Sequence, residues 1–236
     1  MPTIPDTVVK IQAHPAPFIF LDTCVLLDII RAPNRGAALT VGAAIELLKG
    51  ATKDPPTVYL VIGCPTPTEW QEHVDEAVAD CITAINCVEA VAQSWNFLGM
   101  PGIPALPMNA LLLLDRLREL SQDLLDAAIL LDKDGDALSR AVERVIKSTL
   151  PAKKGGKGAK DSIILEHAIC VTDALRKAGF AGTCVFVSSN TRDFAKSGTT
   201  ALHPILQPDF DPPTNLQYAA NLVQASVILE TSGWVP

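Results

Sequence analysis

Apolar residues run on without alternation through Phe18-Ile-Phe-Leu21, Val58-Tyr-Leu-Val-Ile62 and Thr183-Cys-Val-Phe-Val187. Unbroken runs of this length predict strands buried on both faces, as in a parallel sheet. His203 to Leu206 predicts a fourth, shorter strand. Helices are predicted from Thr23 onward, over Ala37 to Leu48 with Gly50 as the stop, and from about 69 to 98. Pro101, Pro104 and Pro107 then break the chain before Asn109, a residue suited to capping a helix that reaches about Leu131. Further helices are expected from Asp136 to about Leu150, from Asp161 to Ala178 with Gly179 as the stop, and from Asn215 to Glu230. Lys53-Asp-Pro-Pro and Gly63-Cys-Pro-Thr-Pro-Thr read as a turn and a loop, and Ser188 to Gly198 as a turn and short helix.

Strands alternating with helices predict an α/β fold: three layers, α/β/α, around a central parallel sheet of Rossmann-like topology. The length of 236 residues fits one large domain, and no linker-like composition divides it. The stretch from about 75 to 150 is too long for a simple crossover and is expected to be a helical insertion within the single domain 1–236.

Composition narrows the function. Nineteen basic residues against 26 acidic give a net charge of -7, which excludes a protein whose whole surface coats nucleic acid. A local basic patch beside an acidic site stays open. No apolar run approaches the roughly 18 residues that span a bilayer. The opening MPTIPDTVVKIQAHPAP lacks the charged-then-apolar pattern of a secretory signal, so a cytoplasmic chain without membrane contact is expected. Cys24, Cys64, Cys81, Cys87, Cys170 and Cys184 are scattered, with no C-x-x-C pair, and read as small apolar residues rather than disulfides or a zinc site.

In an open parallel sheet, ligands bind beyond the carboxyl ends of the strands. Asp22 follows the first strand there, with Glu69 and Glu72 a loop beyond the second. Asp161 opens the helix before the third strand, and Ser188, Asn190 and Asp193 follow that strand. Carboxylates gathered on one sheet edge repel unless a cation sits among them. All-oxygen donors point to Mg²⁺ or Mn²⁺.

These segments resemble a known family. Phe18-Ile-Phe-Leu-Asp-Thr-Cys-Val-Leu-Leu-Asp28 resembles the opening motif of PIN domains, an apolar strand ending in Asp and then a small hydroxyl residue, here Thr23. Thr66-Pro-Thr-Glu-Trp-Gln-Glu72 is similar to their second motif, Lys160-Asp-Ser-Ile-Ile-Leu-Glu-His-Ala168 to the third, and Val185-Phe-Val-Ser-Ser-Asn-Thr-Arg-Asp-Phe194 to the fourth. The four pieces follow the family order. The added helices and the Lys-Gly loop resemble the larger PIN-like proteins rather than the compact toxins. The resemblance implies a metal-dependent nuclease acting most often on single-stranded RNA. Asp22, Glu72, Asp161 and Asp193 would then hold Mg²⁺ or Mn²⁺ and carry catalysis, with Glu69 as the rival to Glu72. Ser188, Asn190, Thr23 and Glu69 would support them. Lys153, Lys154, Lys157 and Lys160, in a basic loop expected to be mobile, and Arg192 would bind nucleic-acid phosphates. A homodimer and an antitoxin-like protein partner stay open.

Rival readings are an inactive PIN-like scaffold or RNA-binding protein and a structure-specific DNA nuclease. A phosphatase of the haloacid dehalogenase type needs a second Asp where Cys24 stands, and a dinucleotide fold needs a Gly-rich turn that Asp22-Thr-Cys-Val lacks. No nucleophile elbow is present.

Overall fold

A computed structural model describes residues 1–99 and 110–235. The expected breaks at Pro101, Pro104 and Pro107 and the cap at Asn109 lie outside the described residues. The chain runs α1 (Ile4–Ala13), β1 (Phe18–Leu21), α2 (Thr23–Ile30), α3 (Ala32–Arg35), α4 (Ala38–Thr52), β2 (Tyr59–Ile62), α5 (Thr66–Phe97) and α6 (Ala110–Ala127). It continues through β3 (Ile129–Leu130), α7 (Gly135–Lys147), α8 (Ala159–Lys177), β4 (Cys184–Val187), α9 (Thr191–Phe194), α10 (Gln207–Phe210), β5 (Leu216–Ala219) and α11 (Leu222–Thr231). The five strands form one parallel sheet in the order β3-β2-β1-β4-β5.

The sheet separates two apolar layers, and strand alternation assigns each side chain to one of them. Ile19, Leu21, Leu60, Ile62, Val185 and Val187 face α2, α4, α5, α6 and α11. Phe18, Phe20, Tyr59, Val61, Phe186 and Tyr218 face α1 and α8. Every residue of β1, β2 and β4 is buried. That explains why these strands read as continuous apolar runs, and it bears out the three-layer α/β/α expectation.

Several expectations are corrected. The stretch 75–150 is not wholly helical, because Ile129 and Leu130 pair with Val61 and Ile62 and extend the sheet. His203 to Leu206 is a turn rather than a strand. The edge strand is Leu216–Ala219, inside the stretch expected to be helical, and α11 starts only after Asn221, whose side chain accepts the Gln224 N–H. A further helix, α1, begins at a Thr3–Asp6 capping box. Gly50 does not stop α4 but lies within it. A Cβ there would stand 2.9 Å from both Thr57 Oγ1 and Val58 Cγ1, so glycine lets the helix pass close to the start of β2.

The topology creates a crevice. After β1 the chain turns into α2 on one face, whereas after β4 it turns into α9, whose Phe194 packs on the other. Adjacent parallel strands whose connections part to opposite faces leave an opening at their carboxyl ends. Helix positions around it are fixed by buried polar links. Trp70 Nε1 donates to Ser121 Oγ at 2.9 Å, and Ser121 donates to the Leu26 carbonyl at 2.8 Å, tying α5 and α6 to α2. Partly buried Arg144 on α7 pairs with Glu166 on α8 and, at 2.8 Å, with Asp209, so Glu166 is engaged in joining α7 to α8.

Candidate functional site

Asp22 sits at the mouth of this crevice and is only 3% exposed. It stands at the N-cap of α2, yet its side chain makes no capping hydrogen bond. Instead Ser188 Oγ donates to Asp22 Oδ2 at 2.5 Å, and the Cys24 thiol donates to the same oxygen at 3.2 Å. Ser188 is fixed in turn: its N–H bonds the Ala219 carbonyl at 3.0 Å, and Tyr218 Oη donates to its carbonyl at 2.9 Å. Burial, and next the neighbouring Asp161 carboxylate, push Asp22 up to about 7 against these hydrogen bonds, with Glu69 adding to the rise.

The other carboxylates arrive on separate elements. Asp161 stands in the first turn of α8. Its carboxyl is raised, mainly by burial, with the Asn190 amide opposing and Glu69 and Asp193 adding to the rise. Asn190 is at the N-cap of α9 without capping it. Its Nδ2 donates instead to Asp193 Oδ2 at 2.9 Å and to Asp161 Oδ1 at 3.3 Å. Asp193 is held there because the next residue, Phe194, is fully buried with its ring 5.1 Å from that of Phe186. Glu69 reaches the group from the start of α5, where Thr23 Oγ1 donates to its Oε2 at 2.7 Å.

Glu72 does not reach this group. It lies three residues farther along α5, half exposed, and pairs with Lys160 Nζ at 2.6 Å. That ammonium draws its carboxyl below the ordinary value. Of the two candidates on α5, Glu69 is therefore the one beside Asp22 and Asp161, and Glu72 lies on the rim. The helix enters the site at its first turn, so the earlier carboxylate points in. Cys24, expected to be a small apolar residue, is instead a site residue. Burial holds its thiol well above the ordinary value, and the Ser189 N–H donates to its sulfur at 3.2 Å.

The basic loop is anchored rather than loose. Pro151 and Ala152 are buried, and the Lys153 N–H bonds the Lys157 carbonyl at 2.8 Å. Gly158 closes the loop with φ +81°, where a Cβ would stand 2.5 Å from the Pro151 carbonyl oxygen. Lys153 Nζ pairs with Asp193. Lys154, Lys157 and Arg192 are exposed and form no ion pair among the described residues.

The carboxylates offer only oxygen donors, and the cations at hand, Lys153 and Lys160, act on Asp193, Glu69 and Glu72. None of the leading influences on Asp22 or Asp161 is a cation. This charge pattern fits a hard divalent ion. The side chains do not close on one point: among the described residues, no three of His, Cys, Asp or Glu stand close enough together to hold an ion as arranged. No helix among the described residues is long and apolar enough to cross a membrane. Set against known proteins, the chain matches no protein-family profile, no curated protein and no solved structure.

Proposed function

We propose that this protein is a cytoplasmic, metal-dependent nuclease, PIN-like in its site, that hydrolyses phosphodiester bonds in single-stranded RNA. The observation that supports it is the buried Asp22 and Asp161 pair at the carboxyl ends of β1 and β4, on which no cation is a leading influence, with Glu69 beside them and Asp193 linked through Asn190. On this reading Asp22, Asp161, Glu69 and Asp193 hold Mg²⁺ or Mn²⁺. When bound, the ion supplies Lewis-acid stabilisation of the charge that builds on the phosphodiester and lowers the pKa of water. Ser188 and Thr23 orient the Asp22 and Glu69 carboxylates by hydrogen bonds. Asn190 sets the spacing of Asp161 and Asp193. Lys154, Lys157 and Arg192 hold the phosphate chain, with Lys153 and Lys160 joining them once released from Asp193 and Glu72.

A binding role without catalysis is the second reading. Its support is that Lys153 and Lys160 already neutralise Asp193 and Glu72. The deciding experiment is cleavage of labelled single-stranded RNA and DNA with Mn²⁺, with Mg²⁺ and with EDTA, alongside Asp22→Asn and Asp161→Asn. Metal-dependent cutting that both variants lose is expected, with RNA preferred over DNA. No cutting by folded protein under either metal would favour the binding reading.

A further inference from the structure

A cleft of about 860 Å³ opens beside Asp193, between α9 and the turn that follows it. In a chain with 26 acidic residues against 19 basic, no Asp or Glu lines this cleft. Its polar lining is Thr191, Arg192, Ser197, Thr199, Thr200 and His203. Much of its hydrogen-bonding capacity is unused. Among the described residues, the Arg192 guanidinium forms no ion pair, and the hydroxyls of Thr191, Ser197 and Thr200 form no hydrogen bond within the protein. His203 Nδ1 accepts the Ile205 N–H at 3.2 Å, so the neutral ring carries its proton on Nε2 as a further donor.

The wall is built before any ligand arrives. Lys196 N–H bonds the Ala201 carbonyl at 2.9 Å, Thr199 Oγ1 donates to the Lys196 carbonyl at 2.9 Å, and Ala201 N–H bonds Thr199 Oγ1 at 3.3 Å. Phe194 pins the other wall into the core. An unpaired guanidinium, hydroxyls free to donate and the absence of any carboxylate together make an environment for a phosphate anion.

The geometry points to a subsite for the backbone of single-stranded nucleic acid, next to Asp193 at the edge of the acidic centre. Arg192 and His203 grip a phosphate there, and the free hydroxyls bond its oxygens or the neighbouring sugar. The inference deepens the nuclease reading by giving the strand a direction out of the site, toward the turn at 196–201. A strand that is not cut would bind there equally well.

The test is fluorescence anisotropy of a short labelled single-stranded RNA with EDTA present, so that no cutting intervenes. Arg192→Gln is expected to weaken binding about tenfold. It should also make the dependence of log K on log salt shallower by about 0.7, the value for one lost phosphate contact on a single strand. His203→Ala should weaken binding by a smaller factor. Lys177→Gln, at the far end of α8, should match the parent. Arg192→Gln and His203→Ala proteins that keep parental affinity and salt slope would overturn the proposal. So would a poly-glutamate peptide that binds and displaces the RNA through the same two residues, since the cleft would then belong to an acidic protein segment. The two readings fail separately. RNA binding that depends on Arg192, without cleavage in Mn²⁺, sinks the nuclease and keeps the subsite. Cleavage with binding indifferent to Arg192 and His203 does the reverse.

Discussion

Replacing Asp22 by Asn should stabilise the fold, and the gain should depend on pH. Asp22 is held at about 7 against an ordinary 3.8, so the folded chain prefers its neutral acid. A carboxyl raised in the folded state costs nothing below its unfolded value. The cost grows as pH rises from about 4 and is complete above about 7. At 1.36 kcal/mol for each pKa unit, the full cost is about 4 kcal/mol. Asn is neutral throughout and can still accept from Ser188 Oγ through its amide oxygen. Parent and variant should therefore melt together near pH 4. By pH 8 the variant should melt on the order of 10 °C higher, taking roughly 2–4 °C per kcal/mol for a chain of this size. Differential scanning calorimetry in EDTA from pH 4 to 8 measures the gap directly, and acid effects elsewhere in the fold cancel in the difference. Adding Mn²⁺ at pH 8 should raise the parent's melting temperature by mass action and leave the variant where it was. Parallel melting curves at every pH would refute the account of Asp22 as a buried, uncompensated carboxylate. A variant that Mn²⁺ stabilises as much as the parent would refute its part in holding metal.

The remaining predictions concern the neighbours. Glu69→Gln should abolish the Mn²⁺-induced melting shift, whereas Glu72→Gln should keep it, because only Glu69 stands with Asp22 and Asp161; the reverse order would restore Glu72 as the ligand. Lys153→Met should tighten Mn²⁺ binding in isothermal titration by about tenfold, since an ammonium now competes for Asp193, and unchanged affinity would show that the pair does not compete. Phe194→Ala should cost about 3–5 kcal/mol in a urea titration, the range for removing a fully buried ring. It should also blunt metal binding, because the ring anchors Asp193.

Where the sequence was legible, burial made it so. β1, β2 and β4 lie in the middle of the sheet, both faces are covered, and unbroken apolar runs followed. The edge strands carry weaker signals. β3 is only two residues long and continues the Leu-rich pattern of α6. In β5 the alternation Leu216-Gln217-Tyr218 was present but passes into α11 without Gly or Pro, so it read as helix. Asn221 with Gln224 three residues on was the readable boundary, and Thr3 with Asp6 was its counterpart at α1. Within the site, Asp22 was legible because it directly follows a strand, and Asp161 and Asp193 because each stands in the first turn of a helix next to β4 in sequence. Glu69 against Glu72 was not, since the choice depends on the angle at which α5 leaves the sheet. The pairing of Lys153 with Asp193 spans forty positions and left no local trace. Cys24 looked apolar because its thiol is used only once the chain is folded.

The divergence of β1 and β4 has a further consequence for how this protein can vary. The floor of the site, Asp22 and Ser188, is continuous with four-residue strands that are also the centre of the core. A substitution there is felt in packing as well as in chemistry. The side chains of the rim, Lys154, Lys157, Arg192 and the turn at 196–201, are exposed, although the backbone that carries them is held at Pro151, Ala152 and Phe194. Substitutions on the rim can accumulate at little folding cost, while the floor stays fixed.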